Sequence, residues 1–212
     1  MINVHYFTFG PFQENTYILW DNTLDCLILD PGNNNATENK KLSDFISQNN
    51  LTPKRLILTH GHIDHINGNK YVFDTYGLLP EVHKADVYFI EKHLASATMY
   101  GLHADQSPMP KSFLNDGDII SFGNSRLQSI FTPGHSPGSL SFYNLEDKFI
   151  IGGDVLFYGS IGRSDLPMGD HDTLISSIKE KLIPLGDDMK VYSGHGIPTT
   201  IGFERMNNPF LV

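Results

Sequence analysis

Residues 59–65 read Thr59-His60-Gly61-His62-Ile63-Asp64-His65 (THGHIDH), and this stretch decides how the rest of the chain is read. Seven positions hold three imidazoles and a carboxylate, and an apolar run, RLIL at 55–58, leads straight into them. Three other apolar runs end in the same kind of residue: QSIFTPG runs into His135, FIIGG into Asp154 and KVYSG into His195. Glycine stands just before each of these three, where backbone approaches something closely. In mixed α/β sheets, loops from several strands converge at strand ends, and sites are built there. The stretch is therefore met by ligands arriving 70, 89 and 130 positions after His65. Together these are His60, His62, His65, His135, His195, Asp64 and Asp154, more than the four ligands of one tetrahedral metal. They suit two metals a few ångströms apart, sharing a bridging carboxylate and a bridging water. Imidazole with carboxylate fits Zn²⁺ foremost, and also Fe or Mn; the absence of thiolate removes a preference for soft metals.

Working outward, strand-like and helix-like runs alternate. TYILW (16–20) and DCLILD (25–30) suggest a hairpin about Asp21-Asn22 that ends at Asp30-Pro31-Gly32. From Thr37, Leu42, Phe45 and Ile46 have helical spacing; a second helix is expected within 64–76 and a third within 85–94, with Val87, Ile90 and Leu94 on one face. Residues 96–112 hold two prolines and no period, so they are expected to form a loop, a lid in which Met99, Tyr100, His103 and Met109 set specificity. Strands resume at 118–122, 126–132, 139–144 and 148–154. A last helix is expected after Asp172 as N-cap, with Leu174, Ile175, Ile178 and Leu182 inward, and 189–195 as the closing strand. No repeat or linker divides residues 1–212, which are read as one domain.

Composition narrows the function. A net charge of −9 argues against a nucleic-acid partner, and no apolar run is long enough to span a membrane. The start, MINVHYFTFGPFQ, lacks the basic and apolar regions of a secretory signal, and a single cysteine excludes an internal disulfide, so the cytoplasm is expected. Cys26 lies in the run CLIL and reads as a small buried hydrophobe, not a nucleophile. His5, His83, His93 and His171 have no such company and read as surface or core residues, with His103 the exception because it sits in the expected lid. The sequence carries no signal for an oligomeric state.

The pattern His60-x-His62-x-Asp64-His65, followed by His135, Asp154 and His195, resembles the metallo-β-lactamase superfamily. FQENTYIL (12–19), LDPG (29–32), GHSPGS (134–139), GDVLF (153–157) and NPF (208–210) extend the resemblance over nearly the whole chain, closest to single-domain glyoxalase II-like hydrolases. The resemblance implies an α/β fold, a four-layer αββα sandwich with the metals along one edge of two sheets. It implies that His60, His62 and His135 hold one metal, that Asp64, His65 and His195 hold the other, and that Asp154 bridges them. In GSIGRSDLP (159–167), Arg163 would orient a substrate carboxylate and Asp165 would steady a ligand imidazole; an Arg–Asp contact that only shapes the loop is the equal alternative. Two-domain glyoxalase II enzymes add a C-terminal helical domain with basic contacts to glutathione, whereas this sequence stops at Val212.

The implied reaction is cleavage of a small-molecule thioester, of the S-lactoylglutathione kind, by a metal-bridging hydroxide, with Asp64 also placed to hydrogen-bond the attacking water. The alternative within the same resemblance is a mononuclear iron persulfide dioxygenase, with iron on His60, His135 and Asp154.

Overall fold

The computed structural model describes residues 1–211. Two six-stranded sheets are built from successive halves of the chain. The first contains β1 (Asn3–Phe9), β2 (Glu14–Trp20), β3 (Asp25–Leu29), β4 (Thr52–Ile57), β5 (Pro80–Val82) and β6 (Ser112–Phe113), in that order. The second runs β14 (Thr199–Thr200), β13 (Lys190–Ser193), β10 (Phe149–Gly153), β9 (Leu140–Asn144), β8 (Ser125–Phe131) and β7 (Ile119–Phe122). A small hairpin of β11 (Leu156–Phe157) and β12 (Ser160–Ile161) stands apart.

Side chains alternate across a strand, so each buried strand feeds two layers of core. Tyr17, Leu19, Leu27 and Leu29 face the other sheet, where they meet Phe142, Phe149, Ile151 and Leu140. Ile18, Cys26 and Ile28 face the opposite way, onto Leu42 and Ile46 of α1 (Ala36–Gln48) and onto Ile66, Val72 and Ile90. Those last three belong to α2 (Ile63–Ile66), α3 (Asn69–Tyr76) and α4 (Val87–Glu91). Ile150 and Val191, on the outer face of the second sheet, pack on Leu174, Ile178, Leu182 and Ile201. These come from α6 (His171–Ser177), its continuation through residues 178–182, and α7 (Ile201–Asn207). The four layers are thus helix, sheet, sheet, helix, as expected. Burial pushes the Cys26 thiol up to about 12, in keeping with its reading as a core hydrophobe. No helix among the described residues is long and apolar enough to cross a membrane.

Local departures from the expected elements have identifiable causes. No clean alternation marks β1 in the sequence, because six of its seven residues are only partly covered or exposed. The helix expected within 64–76 breaks at Asn67–Gly68, where the Gly68 N–H donates to the Pro31 carbonyl at 2.6 Å. Leu94 is exposed; the inward line is Ile90, His93 and Ala97, and His93 and Ala97 lie on α5 (His93–Met99). The first part of the expected loop is therefore helix, hidden from a periodicity search because its inner face is histidine and alanine. The remainder is fastened down: the Ser107 N–H donates to His93 Nδ1, and Gln106 Nε2 donates to the Ile90 carbonyl. His103 and Met109 point to solvent and lie outside the cleft described below, contrary to the lid reading; Met99 and Tyr100 do line it. The cap of α6 is Asp170, not Asp172, its side chain accepting from the Thr173 N–H at 2.8 Å. Neither α6 nor β13 is the last of its kind, since β14 and α7 follow.

Candidate metal centre

The strand directions bring the ligand types together. β3 and β4 run parallel, and β8, β10 and β13 point the same way in the second sheet. Their C-terminal ends therefore share one edge of the sandwich. Asp30 follows β3, His60 to His65 follow β4, His135 follows β8, Asp154 follows β10 and His195 follows β13. Glu14 opens the antiparallel β2 and forms a lone bridge to His195 that joins the two sheets at this edge.

Two glycines are required for that convergence. Gly153 adopts φ +53°, in the left-handed region, as the chain turns from β10 into Asp154. Gly194 lies so close beneath the site that a Cβ there would collide with Asp154 Oδ1 and stand 2.8 Å from His65 Cε1.

His60, His62 and His135 each offer a ligand atom within 4.8 Å of the others, and so do Asp64, His65 and His195. In the first triad, His62 Nδ1 and His60 Nε2 lie 2.7 Å and 3.2 Å from His135 Nε2. Three ring nitrogens converge, and one proton serves only one of these contacts, whereas a cation satisfies all three lone pairs. In the second, His195 Nε2 is 3.2 Å from Asp64 Oδ2 and His65 Nε2 is 3.9 Å from the same oxygen. Asp154 lies between the triads: Oδ1 is 3.4 Å from His65 Nε2, and Oδ2 is 3.5 Å and 3.4 Å from His135 Nε2 and His195 Nε2. His65 Nε2 and Asp154 Oδ1 are buried without a hydrogen-bond partner. Orphaned polar atoms of this kind are rare, and these two face each other at the centre of the ligand set. The donor set therefore fits divalent cations.

The other nitrogen of most rings is held by a second partner, which fixes its orientation. His60 Nδ1 meets Thr59 Oγ1 at 3.0 Å, His65 Nδ1 meets Asp30 Oδ2 at 3.0 Å, and His195 Nδ1 meets the Phe12 carbonyl at 3.1 Å. His135 Nδ1 donates to the Arg163 carbonyl at 2.6 Å. The anchor expected from Asp165 is thus supplied to His135 by backbone. Asp165 itself takes both its oxygens to the Arg163 guanidinium at 2.9 Å, and both side chains are about 70% exposed (68% and 70%). Of the two readings of this pair, the loop-shaping contact is the one the geometry displays. Asp30, a strand-end carboxylate like Asp154, was not singled out from sequence. It accepts from the Thr59 N–H and hydroxyl at 2.7 and 2.6 Å as well as from His65. Those bonds occupy it, so its proximity to His60 and His65 is that of an orienting group.

Electrostatics divide the triads. Burial, and then the neighbouring imidazoles, hold His60 well below its ordinary value and His62 down to about 3. Burial also opposes charge on His65 and His195, but carboxylates outweigh it. Asp154 and Asp64 lift His65 well up, and the same two raise His195 to about 10. Burial pushes the Glu14 carboxyl, enclosed behind the site, well above the usual carboxylate range.

The ligands open into a cleft of about 500 Å³. Its walls are mainly apolar, with Phe12, Phe89, Met99, Tyr100 and Phe157 prominent, and Lys92 and Arg163 are its cations. Phe12 meets Tyr100 edge-on at 5.4 Å, and Phe89 meets His62 edge-on at 4.8 Å.

Residues 9–195 match the family model of the metallo-beta-lactamase superfamily. Over 212 aligned residues the chain is 37% identical to hydroxyacylglutathione hydrolase GloC of Haemophilus influenzae, covering 99% of this chain and 98% of that one. Among solved structures, BLEG-1 B3 metallo-beta-lactamase superposes with a TM-score of 0.90 at 35% identity over the full length of both chains. TTHA1623 in a di-iron-bound form gives 0.89 at 35% identity, covering 98% of this chain and all of the other.

Proposed function

Since the chain belongs to the metallo-beta-lactamase superfamily, we propose that it is a cytoplasmic, metal-dependent hydrolase of small thioesters resembling S-lactoylglutathione. The observation that carries this reading is the pair of triads with Asp154 between them. His60, His62 and His135 would hold one divalent cation and Asp64, His65 and His195 a second, with Asp154 shared; zinc is the first choice, and iron or manganese also suit these donors. Such ions supply acidified water near neutral pH and a Lewis acid for the substrate carbonyl.

The chain's own groups do the rest. Asp64, with 17% of its side chain exposed, is placed to accept a hydrogen bond from water entering the cleft. The apolar walls exclude bulk water and seat an acyl group. Apart from the ligand residues, no described lining residue is a carboxylic acid. That favours a thiolate leaving group, which departs without protonation, over an amine. The cation with an unspent charge is Lys92, because Arg163 is engaged by Asp165. Lys92→Met is expected to raise KM roughly 10-fold for thioesters whose thiol carries a carboxylate and to leave kcat unchanged, the pattern of lost uniform binding. Equal effects on a neutral thioester would remove Lys92 from substrate recognition.

One other reading has specific support, and a second is disfavoured. The likeness to BLEG-1 favours a β-lactam amide as a second substrate class. A mononuclear iron persulfide dioxygenase on His60, His135 and Asp154 would leave the Asp64–His65–His195 triad idle, and that triad weighs against it. The deciding experiment is elemental analysis of fresh protein followed by turnover of S-lactoylglutathione, a neutral thioester and a penicillin. About two metals per chain with thioester turnover is expected. One iron with persulfide-dependent oxygen uptake would overturn the proposal.

Loading carries a proton signature. At pH 7 His60 and His62 are already neutral, whereas His195, raised to about 10 by Asp154 and Asp64, must lose a proton to bind metal. Filling the second triad should therefore release at least about one proton, and its apparent affinity should climb with pH towards 10. Calorimetric titrations in buffers of different ionisation enthalpy measure this; metal uptake with no proton release would contradict it.

A further inference from the structure

Asp86 holds none of the positions described above, yet its side chain is fully buried and reaches both loops that deliver the first triad. Its Oδ2 accepts from the Gly61 N–H at 2.8 Å and from the Ser136 hydroxyl at 2.7 Å. Its Oδ1 accepts from the Gly138 N–H at 2.6 Å. Gly61 separates His60 from His62, and Ser136 follows His135. One carboxylate thus ties a loop of the first sheet to a loop of the second. The approach is close: a Cβ on Gly61 would stand 2.7 Å from the Asp86 carbonyl oxygen, and one on Gly138 2.5 Å from Asp86 Oδ1. From Asp86 the chain enters α4, where Phe89 packs against His62.

We propose that Asp86 is a positioning residue for the first triad, setting the distance between the His60–His62 loop and the His135 loop and so the metal affinity of that triad alone. The second triad takes its anchors elsewhere, from Asp30 and from the carbonyls of Phe12 and Gln13. The inference rests on the metal-centre reading above but not on any substrate. Asp86→Asn keeps the shape and one acceptor oxygen; whichever way the amide lies, its NH₂ faces a backbone N–H, and the tie to Gly61 or to Gly138 is lost.

Asp21 provides a matched control. It too is buried and clamps two segments, accepting from the Thr23 N–H and hydroxyl, the Asn124 N–H and the Ser125 hydroxyl. It stands at the far end of β2 from Glu14, roughly 20 Å from the metal centre at the usual rise per residue.

The test is titration of the chelator-treated full chain with Co²⁺ against a competing chelating dye, for wild type, Asp86→Asn, Ser136→Ala and Asp21→Asn. His62→Ala and His195→Ala identify which binding class belongs to which triad. In Asp86→Asn, the class that His62→Ala removes should weaken by roughly 10- to 100-fold, the range for lost orienting partners of metal ligands. The class that His195→Ala removes should stay within about 2-fold. Ser136→Ala, which deletes one of the three ties, should weaken the same class by less, and it carries the test should Asp86→Asn not fold. Asp21→Asn should leave both classes unchanged. Equal weakening of both classes, no weakening in either clamp variant, or the same pattern from Asp21→Asn overturns the proposal. Absence of Co²⁺ binding by wild type overturns the metal-centre reading itself, and this inference with it.

Discussion

Asp154→Ala is expected to lower turnover by on the order of 10³-fold or more and to reduce bound metal from about two per chain to one or fewer. Among the described residues Asp154 is the one carboxylate in contact with both triads, through Oδ1 to His65 and Oδ2 to His135 and His195. Its own ionisation is secured against burial chiefly by His65 and His195, which keep the carboxyl well below its ordinary value. Removing it takes one negative charge from each ion's surroundings and leaves a hole against Gly194, whose lack of a side chain exists to admit it. Elemental analysis and kcat on the same preparation check the expectation. A variant that keeps two metals and a tenth of the activity would show that the triads do not depend on a shared anion.

Asp30→Ala should be the most costly single change to the metal-free fold. Three donors, the Thr59 N–H, the Thr59 hydroxyl and His65 Nδ1, lose their acceptor in a fully buried place. Breaking a buried hydrogen-bonded pair from one side costs about 3–5 kcal/mol. For a chain of this size that is roughly 6–20 °C in Tm. Asp30 also sits at φ +47°, a conformation Asn tolerates and Ala resists, so Asp30→Asn should cost distinctly less. Urea unfolding in the presence of a chelator separates this from any effect of lost metal. A cost below about 1 kcal/mol would mean water replaces the carboxylate without penalty.

The candidate ligand residues, which the structure does bring together, were legible because metal chemistry demands particular side chains at strand ends, and that demand leaves a spacing in the sequence. Groups that act through backbone leave none. Asp86 stands in EVHKAD, where nothing marks it, because its partners are two N–H groups and a serine contributed by distant loops. Asp30 did carry a signal, an acid closing an apolar strand as Asp154 does, but the following Pro31-Gly32 made it look like turn chemistry alone. The layers followed from the family resemblance; β2, β3 and β10 themselves read only as unbroken apolar runs, because alternate residues enter different cores and both faces are buried. The α5 helix could not, since an inner face of His93 and Ala97 has no hydrophobic period. The cap of α6 was ambiguous between Asp170 and Asp172, two acids of equal capping strength two positions apart.

Neither triad is contained in one half of the chain. His60 and His62 wait for His135, while Asp64 and His65 wait for His195, which is separated from them by nearly the whole second sheet. During synthesis the amino-terminal half leaves the ribosome with four of the seven donors and no complete set. Neither of the two triads is complete before residues of the second sheet have emerged and docked. An ion held by either triad would tie the two halves of the polypeptide together, so loading with metal would raise the resistance of the two sheets to parting.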